Sequence, residues 1–595
     1  MEYRLEYHTR WGENLFICHL DKVFPMSWTA GDIWMAELEK PLKNYFYAVY
    51  RDGRLVRREQ GEHLSNVRTE GTVNDRWIDF PYSRAAGTAV PVFSLRSKED
   101  FGIGDFGDLN LLTDWAADCG LKIIQLLPVN DTTRKGGWED SYPYRPVSSF
   151  ALNPMYFRLP EFQDEEFRKE REEMNASDSV DYPCVFAAKM KYLHRAFAQT
   201  DLSKEKGFRT FCRNNAFWLE EYVSFCCDRD GCNDADFYRW TQFRLHFQLS
   251  SATGYARSKG IVFKGDLPIG VSADSADAVF HPQLFNLGCC AGAPPDYFSA
   301  DGQNWGFPTY NWEEMEKDGY SWWKKRLRVM AQYFGAFRVD HILGWFRIWE
   351  IPEGESGKRG HFNPALPYSK GEIERMGLPL SEELFTEVPA GSGHWHPLIS
   401  PDTSALSQDQ KRTFDALWED FFFHRHEGFW KGNALRKVPA LLGATSMLPC
   451  GEDLGMVPDC VNEVMEDYRI LSLELPSFQK NRPWPYLSVC TTSTHDMLPL
   501  RCNGSVDKEP WECENAVRSV LSSCSMLAIL PLQDWLSING QLRCSDPLRE
   551  RINDPADPDN HWCWRMHLNL EDLSIAHSFR AQMEGLLKDS GRWSF

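Results

Sequence analysis

The sequence has no C-x-x-C pair, although it contains 17 cysteines. That excludes a zinc ribbon or a thioredoxin-type redox pair, and the adjacent pairs Cys226–Cys227 and Cys289–Cys290 lack metal-ligand spacing. His394 and His396 in "HWH" have no third ligand nearby, so neither a metal nor any other cofactor is expected. No lysine- and arginine-rich run occurs, and 85 acidic against 65 basic residues leave a net charge of −20. A nucleic-acid groove or an anionic membrane surface is therefore not expected. No apolar run reaches the ~18 residues that cross a bilayer. The opening "MEYRLEYHTRWGENLF" lacks the basic stub and apolar core of a secretory leader. Scattered thiols without such a leader predict a reducing, cytoplasmic setting. Neither an internal repeat nor a low-complexity tract is present.

What the chain does have is length and aromatic surface. Its 595 residues allow a large core and more than one domain, and 23 of them are tryptophan. Trp and Tyr suit both a core and stacking on sugar rings. Residues 1–80 alternate in short segments broken by Gly, Asp and Pro, with "RDGR" (51–54) as a hairpin turn, and predict a small all-β sandwich. From about residue 88 the pattern becomes "AVPVFSL", "DLNLLTDWAADCG" and "LKIIQLLPV", a βαβ unit. "IVFKGDLPIGV", "GAFRVD", "SMLPCGEDLG" and "YLSVCTTST" add fully apolar strands, each ending in polar or charged residues. Such strands belong to a parallel sheet buried on both faces, and residues 81–595 predict an α/β fold, a TIM (β/α)8 barrel. Charged and aromatic helical segments near 161–250 and 353–440 read as insertions over the barrel mouth, the second with one long helix at "DQKRTFDALWEDFFFHRHEGFW".

One stretch points elsewhere. "FGIGDFGDL" places Gly102, Gly104 and Gly107 in the G-x-G-x-x-G spacing of a dinucleotide-binding turn, with Asp131 where an acidic ribose ligand would stand. Against that reading, Asp100, Asp105 and Asp108 crowd the glycines and would repel a pyrophosphate. Six residues also separate Leu95 from Gly102, too many for the tight turn. The glycines are expected to shape the first β-to-α loop beside the substrate at the barrel mouth, with Asp108 capping the following helix.

Three acids end strands: Asp340 in "FRVDHILG", Glu452 in "CGEDLG" and Asp496 in "STHDM". Two convergent carboxylates are the minimum for glycoside cleavage or transfer, one as nucleophile and one as acid then base. A third can orient the sugar and tune its neighbours. Arg338, two residues before Asp340 on a strand, points the same way and is expected to hold that aspartate ionised.

"FSLRSKEDFGIGDFGDL", "DSYPYRPVSSFALNPMY", "KGDLPIGV", "PPDYFSADGQNWGFPTYNW", "FRVDHILGWFRIWEIP", "GEDLGMVP", "STHDM" and "ERINDPADPDNHWCWRMH" follow one another from residue 91 to about 580. In content and order they resemble the 4-α-glucanotransferases of glycoside hydrolase family 77, the amylomaltases or disproportionating enzymes, and most closely the branch that includes the plant cytosolic enzyme. The resemblance implies Asp340 as nucleophile, Glu452 as general acid/base and Asp496 as transition-state stabiliser. It places Arg338 and His495 beside the reacting ring, and Asp266, Tyr142 or Tyr144, Asp296, Gln303 and Trp305 at substrate-binding positions. It also implies α-glucans, from maltose and maltodextrin to glycogen- or starch-like polymers, as partners, and double displacement through a covalent glycosyl-enzyme. After "STHDM" the chain departs from its relatives with a shorter loop.

Residues 1–80 resemble a shortened starch-binding module of carbohydrate-binding family 20. Arg57 and Arg58 stand where such modules often carry Trp, and Trp28 and Trp34 are either platform or core residues. Three other functions compete: an α-glucan hydrolase with the same carboxylates, a non-catalytic glucan-binding protein, and a dinucleotide-dependent oxidoreductase.

Overall fold

A computed structural model describes the chain except residues 8, 10, 31, 60–61, 65–70, 79, 296–298, 479–482, 504–505, 556, 558–559 and 594–595. Near the N-terminus a four-stranded and a five-stranded sheet face each other. One runs Ser27–Thr29, Ile33–Glu37, Glu2–Glu6, Thr72–Arg76, and the other Lys22–Pro25, Glu13–His19, Asn44–Arg51, Arg54–Arg58, with His63–Leu64 also pairing with Asn44–Arg51. Alternation puts Tyr3, Leu5, Leu15, Ile17, Trp34, Tyr45, Tyr47 and Trp77 into the shared core. At the hairpin tip Asp52 (φ 50°) and Gly53 (φ 73°) are both left-handed, the two-residue turn whose twist matches paired strands. Trp34 is a core residue, whereas Trp28 lies exposed at the sheet edge. Arg57 lies over the rings of Tyr7 and Trp77, 5.6 and 5.1 Å from their centroids.

This sandwich is bolted to the rest of the chain through a buried polar knot. Asp75 accepts from Tyr45 (2.7 Å), Tyr47 (2.6 Å) and Arg469 (2.9 Å), and Glu59 accepts from His63, 2.9 Å away. Arg469 belongs to the second domain, so the charge that compensates Asp75 crosses the interface.

The second domain is an eight-stranded parallel barrel: β1 Ala85–Val90, β2 Ile123–Leu126, β3 Val262–Leu267, β4 Ala336–Val339, β5 Leu448–Gly451, β6 Ser472–Glu474, β7 Ser488–Cys490 and β8 Leu527–Pro531. Each strand pairs with its sequence neighbours, and β8 returns to β1. β5 and β6 close the ring through a bridge at Cys450 and Leu471, with Gly451 N–H donating to the Leu471 carbonyl at 2.8 Å. These strands are short and almost wholly buried, as continuous apolar runs require.

The segment between β2 and β3 carries helices at Glu165–Asn175, Tyr182–Ala198, Phe208–Asp230 and Ala235–Ser258. The last leads straight into β3 and is tied to the first barrel helix, α1 (Asp108–Asp118), by Tyr255 donating to Asp114 at 2.6 Å. In the later segment the single helix expected over "DQKRTFDALWEDFFFHRHEGFW" is broken. A helix at Gln408–Glu419 passes into a π-helical turn at Asp420–His424, and a new helix starts at Glu427. Three consecutive phenylalanines explain the break: Phe421 and Phe422 are buried while Phe423 is exposed, and a wider turn lets two adjacent side chains face one core. "VFSL" also departs from expectation, forming a 3-10 turn at Val92–Ser94 after β1 has ended. Among the described residues no helix is long and apolar enough to cross a membrane.

Candidate active site

The site begins with strand register. Asp266 on β3 pairs with Arg338 on β4, and Val339 on β4 with Gly451 on β5. Period-two alternation turns Asp266, Arg338 and Asp340 toward the barrel axis. Arg338 Nη1 donates to Asp266 Oδ1 (2.8 Å) and to Asp340 Oδ1 (2.9 Å), so one buried guanidinium spans both acids. Tyr144 donates to Asp266 Oδ2 at 2.8 Å, which closes the arrangement from the loop after β2.

One strand further, the backbone does the positioning. Glu452 follows β5 directly, its N–H bound to the Val339 carbonyl at 3.0 Å. Its carboxylate accepts from His341 N–H at Oε2 (2.9 Å) and Leu454 N–H at Oε1 (3.0 Å). His341 adopts a left-handed conformation (φ 41°), unusual for a non-glycine residue, and this turn aims its N–H back at Glu452. Asp496 arrives on the loop after β7 and is held from two sides. His495 Nε2 lies 3.1 Å from Oδ2, and Asn553 Nδ2 donates to Oδ1 at 2.6 Å.

The three acids line one cleft of about 800 Å³ at the C-terminal end of the barrel, together with Tyr142, Tyr144, Gln303, Trp305, Arg338 and His495. Its walls are aromatic. Tyr144 stacks on His495 (5.2 Å), Tyr142 on Trp562 (5.5 Å), and Trp305 meets His341 edge-on (4.9 Å). Trp305 Nε1 donates to Gln303 Oε1 at 3.0 Å, which orients both side chains.

Environment separates the three acids. Burial pushes Glu452 up to about 7, against the pull of Arg338, so near neutrality it can both give and take a proton. Burial also raises Asp340, and Arg338 opposes that rise. Arg338, expected to hold this aspartate ionised, does pull in that direction, but burial is the larger influence. For Asp496 burial is outweighed by His495 and Asn553, which hold it down to about 2. One acid is poised to titrate and another to stay ionised, the division that glycosyl chemistry needs.

Two predicted residues stand apart. Asp266 has no exposed side-chain surface and does not line the cleft; it sits beneath the floor and braces Arg338 and Tyr144. Asp296 lies outside the described residues. The loop "FGIGDFGDL" is also corrected, since none of residues 101–107 lines the cleft. Its glycines serve packing: a Cβ on Gly102 would lie 2.9 Å from Met174 Cβ, and one on Gly104 2.1 Å from the Val92 carbonyl. Helix α1 is capped at Gly107, and Asp108, its first residue, turns inward to Ser97 and Arg158.

Sequence comparison meets this geometry. The family described as 4-alpha-glucanotransferase matches residues 90–235 and 227–571. The chain belongs to glycoside hydrolase family 77. It is 34% identical to the 4-alpha-glucanotransferase DPE2 of Oryza sativa subsp. japonica, over 86% of this chain and 70% of that protein. It is 28% identical to a 4-alpha-glucanotransferase of Chlamydia muridarum, over 84% and 94%. In fold it is similar to the amylomaltase of Corynebacterium glutamicum (TM-score 0.63, 18% identity, 99% of this chain and 88% of that one). The amylomaltase of Streptococcus agalactiae, solved with acarbose, superposes with a TM-score of 0.61 at 19% identity, over 86% and 100%.

Within this family 77 chain, sequence reasoning missed the residues that the loop after β8 brings in. Asn553, Asp554 and Trp562 all line the cleft. They lie inside "ERINDPADPDNHWCWRMH", a motif that carries the resemblance, but no spacing rule connects them to Asp496.

Proposed function

We propose that the protein transfers α-1,4-linked glucosyl or glucan units from maltose or maltodextrin to the 4-hydroxyl of an acceptor glucan, with retention of configuration. The observation that carries this reading is the convergence of Asp340, Glu452 and Asp496 in one aromatic-walled cleft of a family 77 barrel. Glu452, protonated below about 7, gives its proton to the glycosidic oxygen as Asp340 attacks the anomeric carbon. The bond to the leaving glucan breaks, and a covalent glycosyl-enzyme remains. Glu452, now a carboxylate, takes the proton of the incoming 4-hydroxyl. That oxygen attacks the anomeric carbon and releases Asp340. Asp496, ionised throughout, faces the hydroxyls of the distorted sugar and the positive charge of the oxocarbenium-like transition state.

Transfer prevails over hydrolysis when a bound sugar hydroxyl outcompetes water, an advantage of proximity that acceptor subsites supply. The aromatic walls formed by Trp305 and by Tyr142 on Trp562 offer stacking faces for that purpose. A glycogen- or starch-like polymer is the proposed acceptor. Cys119, Cys226 and Cys513 are buried free thiols, which suits a reducing cytoplasm.

Incubation with maltotriose tests the reading. Transfer yields glucose and longer maltodextrins at a constant number of reducing ends; a rise in reducing ends replaces transferase by hydrolase, and no product at all overturns both.

A further inference from the structure

Asp496 is ionised and can only accept hydrogen bonds, so the Asn553 amide must present Nδ2 to its Oδ1, at 2.6 Å. That leaves Asn553 Oδ1 facing the other way, where Asn560 Nδ2 donates to it at 2.8 Å. The orientation of one amide therefore fixes the next, and the pair forms a directed chain, Asn560 to Asn553 to Asp496. The backbone strengthens it: Asn553 N–H donates to the His495 carbonyl at 3.0 Å, joining the loop after β8 to the loop after β7 beside Asp496. Arg551 braces the same loop through Nε to the Asn553 carbonyl (3.0 Å) and Nη1 to Asp554 (2.6 Å). On its other oxygen Asp496 meets His495 Nε2 at 3.1 Å, so the carboxylate plane is gripped from both sides.

We infer that Asn553, oriented by Asn560, is the positioning residue that sets the angle at which Asp496 meets the transition state. The proposal rests on the transferase reading above. Asp496 is the most exposed of the three acids, with 42% of its side chain accessible, and it sits on a loop instead of a strand end. Asp340 and Glu452 receive their orientation from barrel register; Asp496 receives its own from this clasp.

The test compares wild type with Asn553→Ala, Asn560→Ala and the double variant in maltotriose disproportionation. Asn553→Ala is expected to lower kcat ~10²-fold, the cost of a misplaced group, while KM stays within about threefold. Asn560→Ala is expected to lower kcat about tenfold, because the first amide can then rotate. The double variant should be no slower than Asn553→Ala, since both act through one carboxylate. The inference is overturned if kcat is unchanged in both single variants, if the two losses multiply, or if KM rises at constant kcat, the mark of a direct substrate contact. Should Asn553→Ala not fold, Asn560→Ala combined with Asp496→Asn decides: a further loss in the Asp496→Asn background overturns the chain, and no further loss supports it. Wild-type transfer activity in the same assay separates failure of this inference from failure of the functional reading.

Discussion

Two clusters of three carboxylates stand in the same domain, and they differ in what fills their oxygens. In the loop before α1, Asp100 accepts from Ser97 N–H (2.8 Å), Gly102 N–H (2.9 Å) and Arg565 Nη2 (2.6 Å). Asp105 accepts from Gly107 N–H (2.8 Å) and Arg158 Nε (2.6 Å), and Asp108 from Asp105 N–H (2.9 Å), Ser97 Oγ (2.6 Å) and Arg158. At most 1% of any of the three is exposed. In the cleft, Asp340 shares Arg338 with Asp266 and otherwise accepts, among the described residues, a long 3.3 Å bond from Ile269 N–H, while Glu452 accepts from the backbone N–H groups of His341 and Leu454. Saturated, cation-paired acids hold a loop in shape. Burial raises Asp108 to about 7, as it does Glu452, so titration alone does not separate the clusters; the acids left with a face on a cavity are the ones a substrate can reach.

The comparison can be broken at either cluster. Asp340→Asn removes the nucleophile without changing volume, and transfer from maltotriose should fall by at least ~10³-fold with an unchanged circular dichroism spectrum. Glu452→Gln should lower kcat by about 10²–10⁴-fold. The same substitution sharpens the assignment through pH. Glu452 is protonated below about 7 and loses its proton as pH rises through that value. The wild-type kcat/KM profile should therefore decline above pH about 7, and the Gln variant should lack this limb. A decline that persists in the variant belongs to another group.

Substitutions in the loop cluster should instead cost stability. Arg565→Met leaves the fully buried Asp100 without its cation, an expected loss of about 3–5 kcal/mol seen as a lower denaturant midpoint. Activity per folded molecule should stay within about threefold, since none of these acids lines the cleft. Gly104→Ala forces a Cβ to within 2.1 Å of the Val92 carbonyl and should cost about 1–3 kcal/mol, again without a kinetic signature. A catalytic defect larger than the stability defect in either variant would erase the distinction between the two clusters.

Much of the barrel was legible in the chain because parallel strands buried on both faces must be continuous apolar runs. Of the six segments read in this way, five contain β2 to β5 and β7, and the first overlaps β1 only at Ala89 and Val90. β6 and β8 escaped; β6, in "ILSLEL", has only three residues, too few for any period to register. The polar residues after the strands were equally visible, since a charged side chain directly after an apolar strand needs a reason to be there. The fate of "FGIGDFGDL" was not. Glycine spacing reports where a backbone must come close to something, and the something proved to be Met174 and the Val92 carbonyl, not a ligand.

The sequence by itself determined the parallel barrel, the family and the identity of Asp340, Glu452 and Asp496 as the acids worth following, because periodicity, strand-end chemistry and motif order are local properties. Only the tertiary structure decided the rest. It moved Asp266 from the cleft to a position beneath it, brought Asn553 to Asp496 across 57 residues, and tied the sandwich to the barrel through Arg469 and Asp75 across 394. The physical reason is common to all three. A carboxylate's role depends on which donors reach its oxygens and how much water it keeps, and both are set by segments that meet only when the barrel closes.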